Sequence, residues 1–155
     1  MLDYVIANKL DADREADFAE MGRLAHAESV FKDFVGYDQK KLLRVARKYA
    51  ERDDHFLGIA MDGDRSVGVL AGHIVDYYFS SDVLSRDVLW YVREEYRNTG
   101  AGLVLLDMFE RWSKARGAAV VYLSQDSGIN MDKFTRMMEK RGYAFVGANY
   151  SLGVS

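Results

Sequence analysis

The chain reads Tyr91-Val92-Arg93-Glu94-Glu95-Tyr96-Arg97-Asn98-Thr99-Gly100-Ala101-Gly102, and the apolar pattern of a helix follows from Leu103 to Trp112. A β-type run, Val88 to Val92, leads into this stretch, so the order is strand, charged loop and helix. The first N–H groups of a helix lack intrahelical partners and carry the positive end of its dipole. Glycine lets the backbone approach a ligand closely, and Arg97 adds guanidinium donors. The stretch therefore predicts a site for an anion such as a pyrophosphate.

Four interpretations of such a loop differ in what the residues around the glycines must be. A P-loop requires Lys-Ser or Lys-Thr after its last Gly, where Leu103-Val104 stands. A dinucleotide-binding loop requires a third Gly where Leu105 stands, although Asp126 lies at about the 20-residue distance of its acidic partner. A glycine-rich loop that merely begins a helix also fits. The fourth is the coenzyme A cradle of the GNAT acyltransferases: an apolar strand end, four residues, then Gln/Arg-x-x-Gly-x-Gly/Ala. The run from Val92 to Gly102 resembles that signature without a gap.

Length and composition predict one globular domain over residues 1–155. The chain has 155 residues, of which 49% are hydrophobic and 13% aromatic, enough for a sizeable core. Its net charge of −3 gives no basic excess, so nucleic acid and anionic membranes are not expected partners. The chain has no cysteine, which excludes disulfides, thiolate metal sites and cysteine nucleophiles. No metal is expected, because the three histidines show no paired ligand spacing.

Hydropathy predicts a cytoplasmic protein. Charged residues, Asp3 and Lys9 among them, interrupt any apolar run near the N-terminus, so no signal peptide is expected. No stretch of the sequence is long and apolar enough to predict a membrane span.

Periodicity and turn residues predict the element order ααβββαβαβ and a mixed sheet with helices packed on it. Helices are expected over residues 11–27, 38–52, 100–116 and 130–141, and strands over 56–61, 66–79, 86–92, 119–125 and 143–149, with a short final strand. Asp62-Gly63-Asp64-Arg65 is typical of a hairpin turn between the first two of these strands.

This order resembles the GNAT fold over essentially the whole chain. The fold has a central, mostly antiparallel sheet flanked by helices, and its first strand would be the weak segment Leu2 to Ala7. Asn130 to Tyr143 resembles the closing helix of the family, and a Rossmann fold disagrees with three consecutive strands in residues 56–92. Gly72-His73, the run from Asp87 to Val92 and His26-Ala27-Glu28-Ser29 resemble a subgroup often found in phages and prophages.

The resemblance implies an N-acetyltransferase that moves an acetyl group from acetyl-CoA to a primary amine by direct attack. Tyr91-Val92 would present a backbone N–H to the acyl carbonyl, and Arg97 to Gly102 would hold coenzyme A. Asn130 would meet the pantetheine arm or simply cap its helix. A non-catalytic GNAT-fold module that binds coenzyme A or a partner is the alternative.

Three residues are candidates for the general base that deprotonates the amine. Asp87 is favoured, although its strand register decides which face it occupies, and a solvated strand-end acid is the alternative. His73 has a suitable ordinary pKa but stands among apolar neighbours, as a core histidine would. Glu28 stands where the first helices of the family border the acceptor pocket, or is a surface acid at a helix end.

The sequence departs from the family at the expected proton donor. Many relatives have Tyr four residues before the closing-helix Gly, where its hydroxyl protonates the departing thiolate. Met138 stands there and has no proton to give, so Ser124, Tyr122 or water would replace it, or the thiolate leaves unaided. The sequence does not identify the acceptor, which is either a small molecule or a protein. It also leaves undecided whether the protein forms a homodimer.

Overall fold

Five strands and four helices form the part of the chain that the computed structural model describes, residues 1–125 and 130–154. A single 3₁₀ turn, Glu94–Tyr96, connects the fourth strand to the third helix. The elements are β1 Asp3–Ile6, α1 Ala12–Glu28, α2 Gln39–Glu51, β2 His55–Asp62, β3 Arg65–Asp76, β4 Val83–Val92, α3 Ala101–Ala115, β5 Val120–Tyr122 and α4 Met131–Lys140. Asp126, on which the dinucleotide interpretation relied, lies outside the described residues.

The first two helices begin where the sequence predicted, because aspartate side chains cap them. The Asp11 carboxylate accepts a hydrogen bond from the Arg14 N–H at 2.9 Å. The Asp38 carboxylate does the same for the Lys41 N–H at 3.0 Å. Each bond satisfies a donor that the first turn of a helix leaves without an intrahelical partner.

The sheet has the order β1-β2-β3-β4-β5. The first three pairings are antiparallel, and only β4 with β5 is parallel. This confirms the predicted mixed, mostly antiparallel sheet and the weak first strand, and it contradicts an alternating βα nucleotide-binding fold.

The sheet separates two layers of core. On one face, Phe18 and Met21 of α1 and Tyr49 of α2 pack against Leu57 and Ile59 of β2. On the other face, α3 contributes Leu105, Phe109 and Trp112, which pack with Phe56 and Leu70. Because β2 and β3 are buried on both faces, their sequences are nearly continuous apolar runs.

Two predicted strands are shorter than expected, and two others are not formed. The strand β3 ends at Asp76, and Tyr77, Tyr78 and Phe79 form an exposed aromatic cluster beyond it. The strand β5 has three residues instead of seven. The described residues from 143 to 154 contain no strand, so both predicted C-terminal strands are wrong. β propensity is insufficient there, because a strand also needs a neighbour to complete its hydrogen-bond ladder.

Candidate active site

The strands β4 and β5 separate, and a cavity opens between them. They pair at Leu84 with Val120, Ser85 with Val121 and Arg86 with Tyr122. Beyond Arg86, β4 continues to Val92 without a partner on this side among the described residues. The opening leads into a cavity of about 780 Å³. Its walls come from the end of α1, the second half of β4, the start of α3, the residues after β5, and α4.

The predicted anion loop forms the start of α3 at the cavity wall. Gly100 has φ of 83°, a left-handed conformation that residues with a side chain rarely adopt. Its carbonyl accepts from the Leu103 and Val104 N–H groups at 3.0 and 3.1 Å, which begins the helix. A Cβ at Gly100 would meet no heavy atom within 4 Å, so the space in front of it is open. The geometry presents the positive end of α3 to the cavity.

Most of the predicted coenzyme-binding residues share this cavity. Tyr91, Val92, Arg97, Asn98, Gly100, Gly102 and Asn130 line it. Thr99 and Ala101 are not among its lining residues; the Thr99 hydroxyl donates to the Tyr96 carbonyl at 2.7 Å, and Ala101 is fully buried. The side chain of Asn130 makes no capping hydrogen bond, so the alternative role as a helix cap is not formed.

A shift in strand register brings Asp87 to the cavity. Ala71 pairs with Leu89 and Gly72 with Asp87, so β4 has one extra residue, Val88, at this point. Such a bulge redirects the side chains that follow it. The Asp87 side chain is only 4% exposed, yet it lines the cavity. This settles the face of Asp87, which the sequence left undecided.

The surroundings of Asp87 favour its protonated form. Its carboxylate accepts from the Ser124 N–H at 2.9 Å and from the Ser124 hydroxyl at 3.4 Å. Burial raises the pKa of Asp87 to about 6, against the opposing effect of these two hydrogen bonds. A carboxyl with a pKa near neutrality is suited to accept and return a proton.

His73 lies in a different cluster and does not line the cavity. Its Nδ1 is 2.8 Å from the Tyr49 hydroxyl, and its ring stacks on His55 with centroids 5.5 Å apart. Burial lowers the pKa of His73, with the neighbouring His55 as a further cause. The structure thus places it as a packed, hydrogen-bonded histidine.

Glu28 lines the cavity, but Arg97 holds its carboxylate. The Arg97 Nη2 donates to both carboxylate oxygens of Glu28, at 2.8 and 2.7 Å. The Arg97 Nε donates to the Val92 carbonyl at 2.9 Å, and its guanidinium lies over the Tyr91 ring. These contacts direct the guanidinium at a carboxylate, whereas the sequence predicted that it would face a phosphate.

Sequence reasoning missed Arg93, which ties the entrance of the loop to α1. Its side chain is 2% exposed; Nε donates to the Ser66 carbonyl at 2.9 Å, and Nη1 lies 2.8 Å from a Glu20 carboxylate oxygen. The Asp17 carboxylate, 3.6 Å from Nη2, is a second acid beside it. The partners stand far from Arg93 in the sequence, so no local pattern signals the arrangement.

Two methionines at the end of α4 face different surroundings. Met138 is buried against α3, whereas Met137 lines the cavity. Tyr143, after α4, donates its hydroxyl to Glu110 of α3 at 2.8 Å. Burial, followed by this hydrogen bond, raises the pKa of Tyr143.

Within the described ranges, no three His, Cys, Asp or Glu side chains are grouped so that they could hold a metal ion. None of the helices in those ranges has the length and apolar character needed to cross a membrane.

Comparison with known proteins places these features in a family. The profile of the acetyltransferase (GNAT) family matches residues 23–143. No curated protein matches the chain.

Solved structures share the fold at low sequence identity. An aminoglycoside acetyltransferase from an uncultured soil metagenomic sample is 18% identical, with a TM-score of 0.73 over 100% of this chain and 99% of that one. A transcriptional regulator from Bacillus halodurans C-125 is 17% identical, with a TM-score of 0.74 over 97% and 99%. A ribosomal-protein-alanine N-acetyltransferase from Brucella melitensis biovar Abortus 2308 is 14% identical, with a TM-score of 0.68 over 98% of both chains.

Proposed function

The chain belongs to the acetyltransferase (GNAT) family of acyl-CoA-dependent enzymes, and we propose that it acetylates a primary amine by direct attack of the amine on acetyl-CoA. The observation that carries the proposal is the shared cavity, whose wall includes both the start of α3 and the buried acid Asp87. The start of α3 is suited to bind an anion, and Asp87 is suited to accept a proton.

The residues fit coenzyme A through their backbone as well as their side chains. The first turn of α3, with open space in front of Gly100, would take the pyrophosphate. The edge of β4 at Tyr91 and Val92, which has no partner among the described residues, would supply a backbone donor to the acyl carbonyl, and Asn130 would contact the pantetheine arm. The segment from Arg97 to Gly102 forms the cradle itself.

Asp87 is proposed as the general base. It is buried, it lines the cavity, and Ser124 fixes its carboxylate with two hydrogen bonds. The ionised carboxylate would take a proton from the attacking amine. The Ser124 hydroxyl, 3.4 Å from Asp87, would give its proton to the departing thiolate in place of the absent tyrosine and regain one from the protonated Asp87, so that the proton of the amine ends on the thiol of coenzyme A.

The acceptor is proposed to be an amine of a small molecule or of a protein, and the names of the solved structures suggest where to begin. Aminoglycosides and peptides with N-terminal alanine represent the two classes. Membership of the phage and prophage subgroup stays a prediction from the sequence. The test is release of coenzyme A from acetyl-CoA over a panel of amines, with Asp87→Asn as the control for enzymatic turnover. Binding of coenzyme A without turnover of any amine would favour the non-catalytic alternative.

Saturating acetyl-CoA is expected to raise the melting temperature by roughly 5 to 11 °C. A ligand at 100 times its dissociation constant stabilises the native state by about 2.7 kcal/mol. For a domain of this size each kcal/mol corresponds to about 2–4 °C. Thermal melting with millimolar acetyl-CoA, and with NAD as the comparison ligand, measures the shift. A response to NAD without a response to acetyl-CoA would reject the proposed cosubstrate.

A further inference from the structure

The ion pair between Glu28 and Arg97 joins two distant parts of the chain at the cavity. Glu28 is the last residue of α1, and Arg97 begins the loop that leads into α3. The two side chains are 34% and 36% exposed, and both line the cavity. A ligand in this cavity therefore meets the pair directly.

Two of the three guanidinium nitrogens of Arg97 donate to its neighbours. Its Nη2 and Nε are used by Glu28 and by the Val92 carbonyl, at distances between 2.7 and 2.9 Å. If Nε and Nη2 turned to a phosphate, they would leave a carbonyl and a carboxylate without their partner, so only Nη1 could approach a phosphate without that loss. Leaving a charged group unpaired is unfavourable, and the first turn of α3 offers backbone donors to the phosphate without that loss.

The pair also affects the charge that the cavity presents to its two ligands. Coenzyme A brings a negatively charged pyrophosphate, and an amine acceptor brings a positive charge. A free Glu28 would attract the amine and repel the coenzyme, whereas a free Arg97 would do the reverse. When paired, the two side chains cancel at close range.

We propose that Glu28 and Arg97 form a charge-balancing pair that sets the selectivity of the cavity, and that the Arg97 side chain is not a phosphate ligand. The proposal rests on the proposed function, because it assumes that one cavity binds an anionic coenzyme and a cationic amine. It makes both residues determinants of specificity and leaves the proton transfer to Asp87.

The experiment measures the dissociation constant of coenzyme A and the KM of the best amine for three variants. Glu28→Gln is expected to bind coenzyme A roughly 3- to 10-fold more tightly and to raise the amine KM by a similar factor, as one unbalanced charge at a partly exposed site would do. Arg97→Gln is expected to change both constants in the opposite directions. Raising the salt concentration should reduce all four changes.

The double variant Glu28→Gln with Arg97→Gln is decisive. Removing both charges restores the balance, so both constants should return close to the wild-type values. If Arg97 were a phosphate ligand, the double variant would bind coenzyme A as weakly as Arg97→Gln alone. That result would overturn the proposal.

A second ion pair supplies a matched control. Arg47 of α2 donates to both carboxylate oxygens of Glu15 of α1, at 2.6 and 2.8 Å, and neither residue lines the cavity. Glu15→Gln and Arg47→Gln should leave both constants unchanged. Changes as large as those at Glu28 and Arg97 would point to general loosening of α1 and overturn the proposal.

The wild-type protein separates this proposal from the proposed function. If wild-type protein fails to bind coenzyme A, the proposed function is rejected, and the pair's role with it. If wild-type protein binds and the single variants show no opposite changes, only the charge-balancing role is rejected.

Discussion

Replacing Asp87 with asparagine is expected to lower the turnover number by roughly 10²- to 10⁴-fold, the range for loss of a positioned general base. Asparagine keeps the shape of the side chain and an oxygen that can accept the Ser124 N–H hydrogen bond, but it cannot take a proton. The affinity for coenzyme A should change little, because the start of α3 is untouched. Steady-state kinetics with the best amine of the panel measures the first quantity, and equilibrium binding measures the second.

The pH dependence of the turnover number, measured for wild type and for Asp87→Asn, identifies the group that accepts the proton. With the pKa of Asp87 at about 6, the wild-type rate should rise with pH through about 6 and then level off as the carboxylate ionises. The variant should lack this step. An unchanged turnover number in Asp87→Asn, together with a fall of roughly 10²-fold or more in the turnover number of His73→Gln or Glu28→Gln, would move the assignment to that other residue. An unchanged turnover number in all three variants would mean that water accepts the proton.

As the pH rises through about 6, the free energy of unfolding should fall while the activity rises. The pKa of Asp87 is near 3.9 in the unfolded chain and about 6 in the folded protein. Between these values the native state binds more protons, so the free energy of unfolding falls as the pH rises. Two pKa units correspond to a loss on the order of 3 kcal/mol at neutral pH. Asp87→Asn lacks this charge, so it should be at least as stable as wild type at pH 7 in a denaturant titration.

Local rules in the sequence were sufficient for most of the fold. The sequence predicted helices that begin at Asp11 and Asp38, and both aspartates cap their helices, because capping needs only a side chain three residues from its donor. Gly63 marked the hairpin, and Gly117 directly follows the helix predicted over residues 100–116; both glycines have positive φ. The tail after α4 was predicted wrongly, since strand formation depends on a partner that no local pattern specifies.

In the candidate site, too, the features set by local sequence were predictable and the long-range contacts were not. The loop from Arg97 to Gly102 was recognisable because its chemistry lies within one contiguous stretch of backbone. The partners of the charged side chains were not, since Glu28 and Arg97 are 69 residues apart and Asp87 and Ser124 are 37 apart. The face of Asp87 depends on one extra residue, Val88, in the strand pairing. A single unpaired residue of this kind reverses every inference from alternation.

Gly100→Ala is expected to weaken coenzyme A binding by roughly 10- to 100-fold, equivalent to one lost hydrogen bond to a charged group. The added Cβ would project into the open space where the phosphate is proposed to bind. It would also destabilise the fold by about 1–2 kcal/mol, because φ at this position is 83°. Gly117→Ala is the matched control: φ is 77°, a Cβ there also meets nothing within 4 Å, and the site is outside the cavity. It should have the same effect on stability and none on binding, as measured by calorimetry.

Gly102→Ala is a second control for Gly100→Ala, because it adds a Cβ to the same loop at a position where the cradle signature accepts Ala. Gly102 lies in the first turn of α3 with an ordinary helical φ, and an added Cβ would make normal contacts with Trp90 at 3.4 Å and Val92 at 3.7 Å. Alanine is favoured over glycine within a helix by about 1 kcal/mol, so the free protein should become slightly more stable. Coenzyme A should bind with close to wild-type affinity, because the cradle signature accepts Ala as well as Gly at this position and the methyl group faces Trp90 and Val92. Wild-type affinity in Gly100→Ala as well would mean that Gly100 serves only to begin the helix.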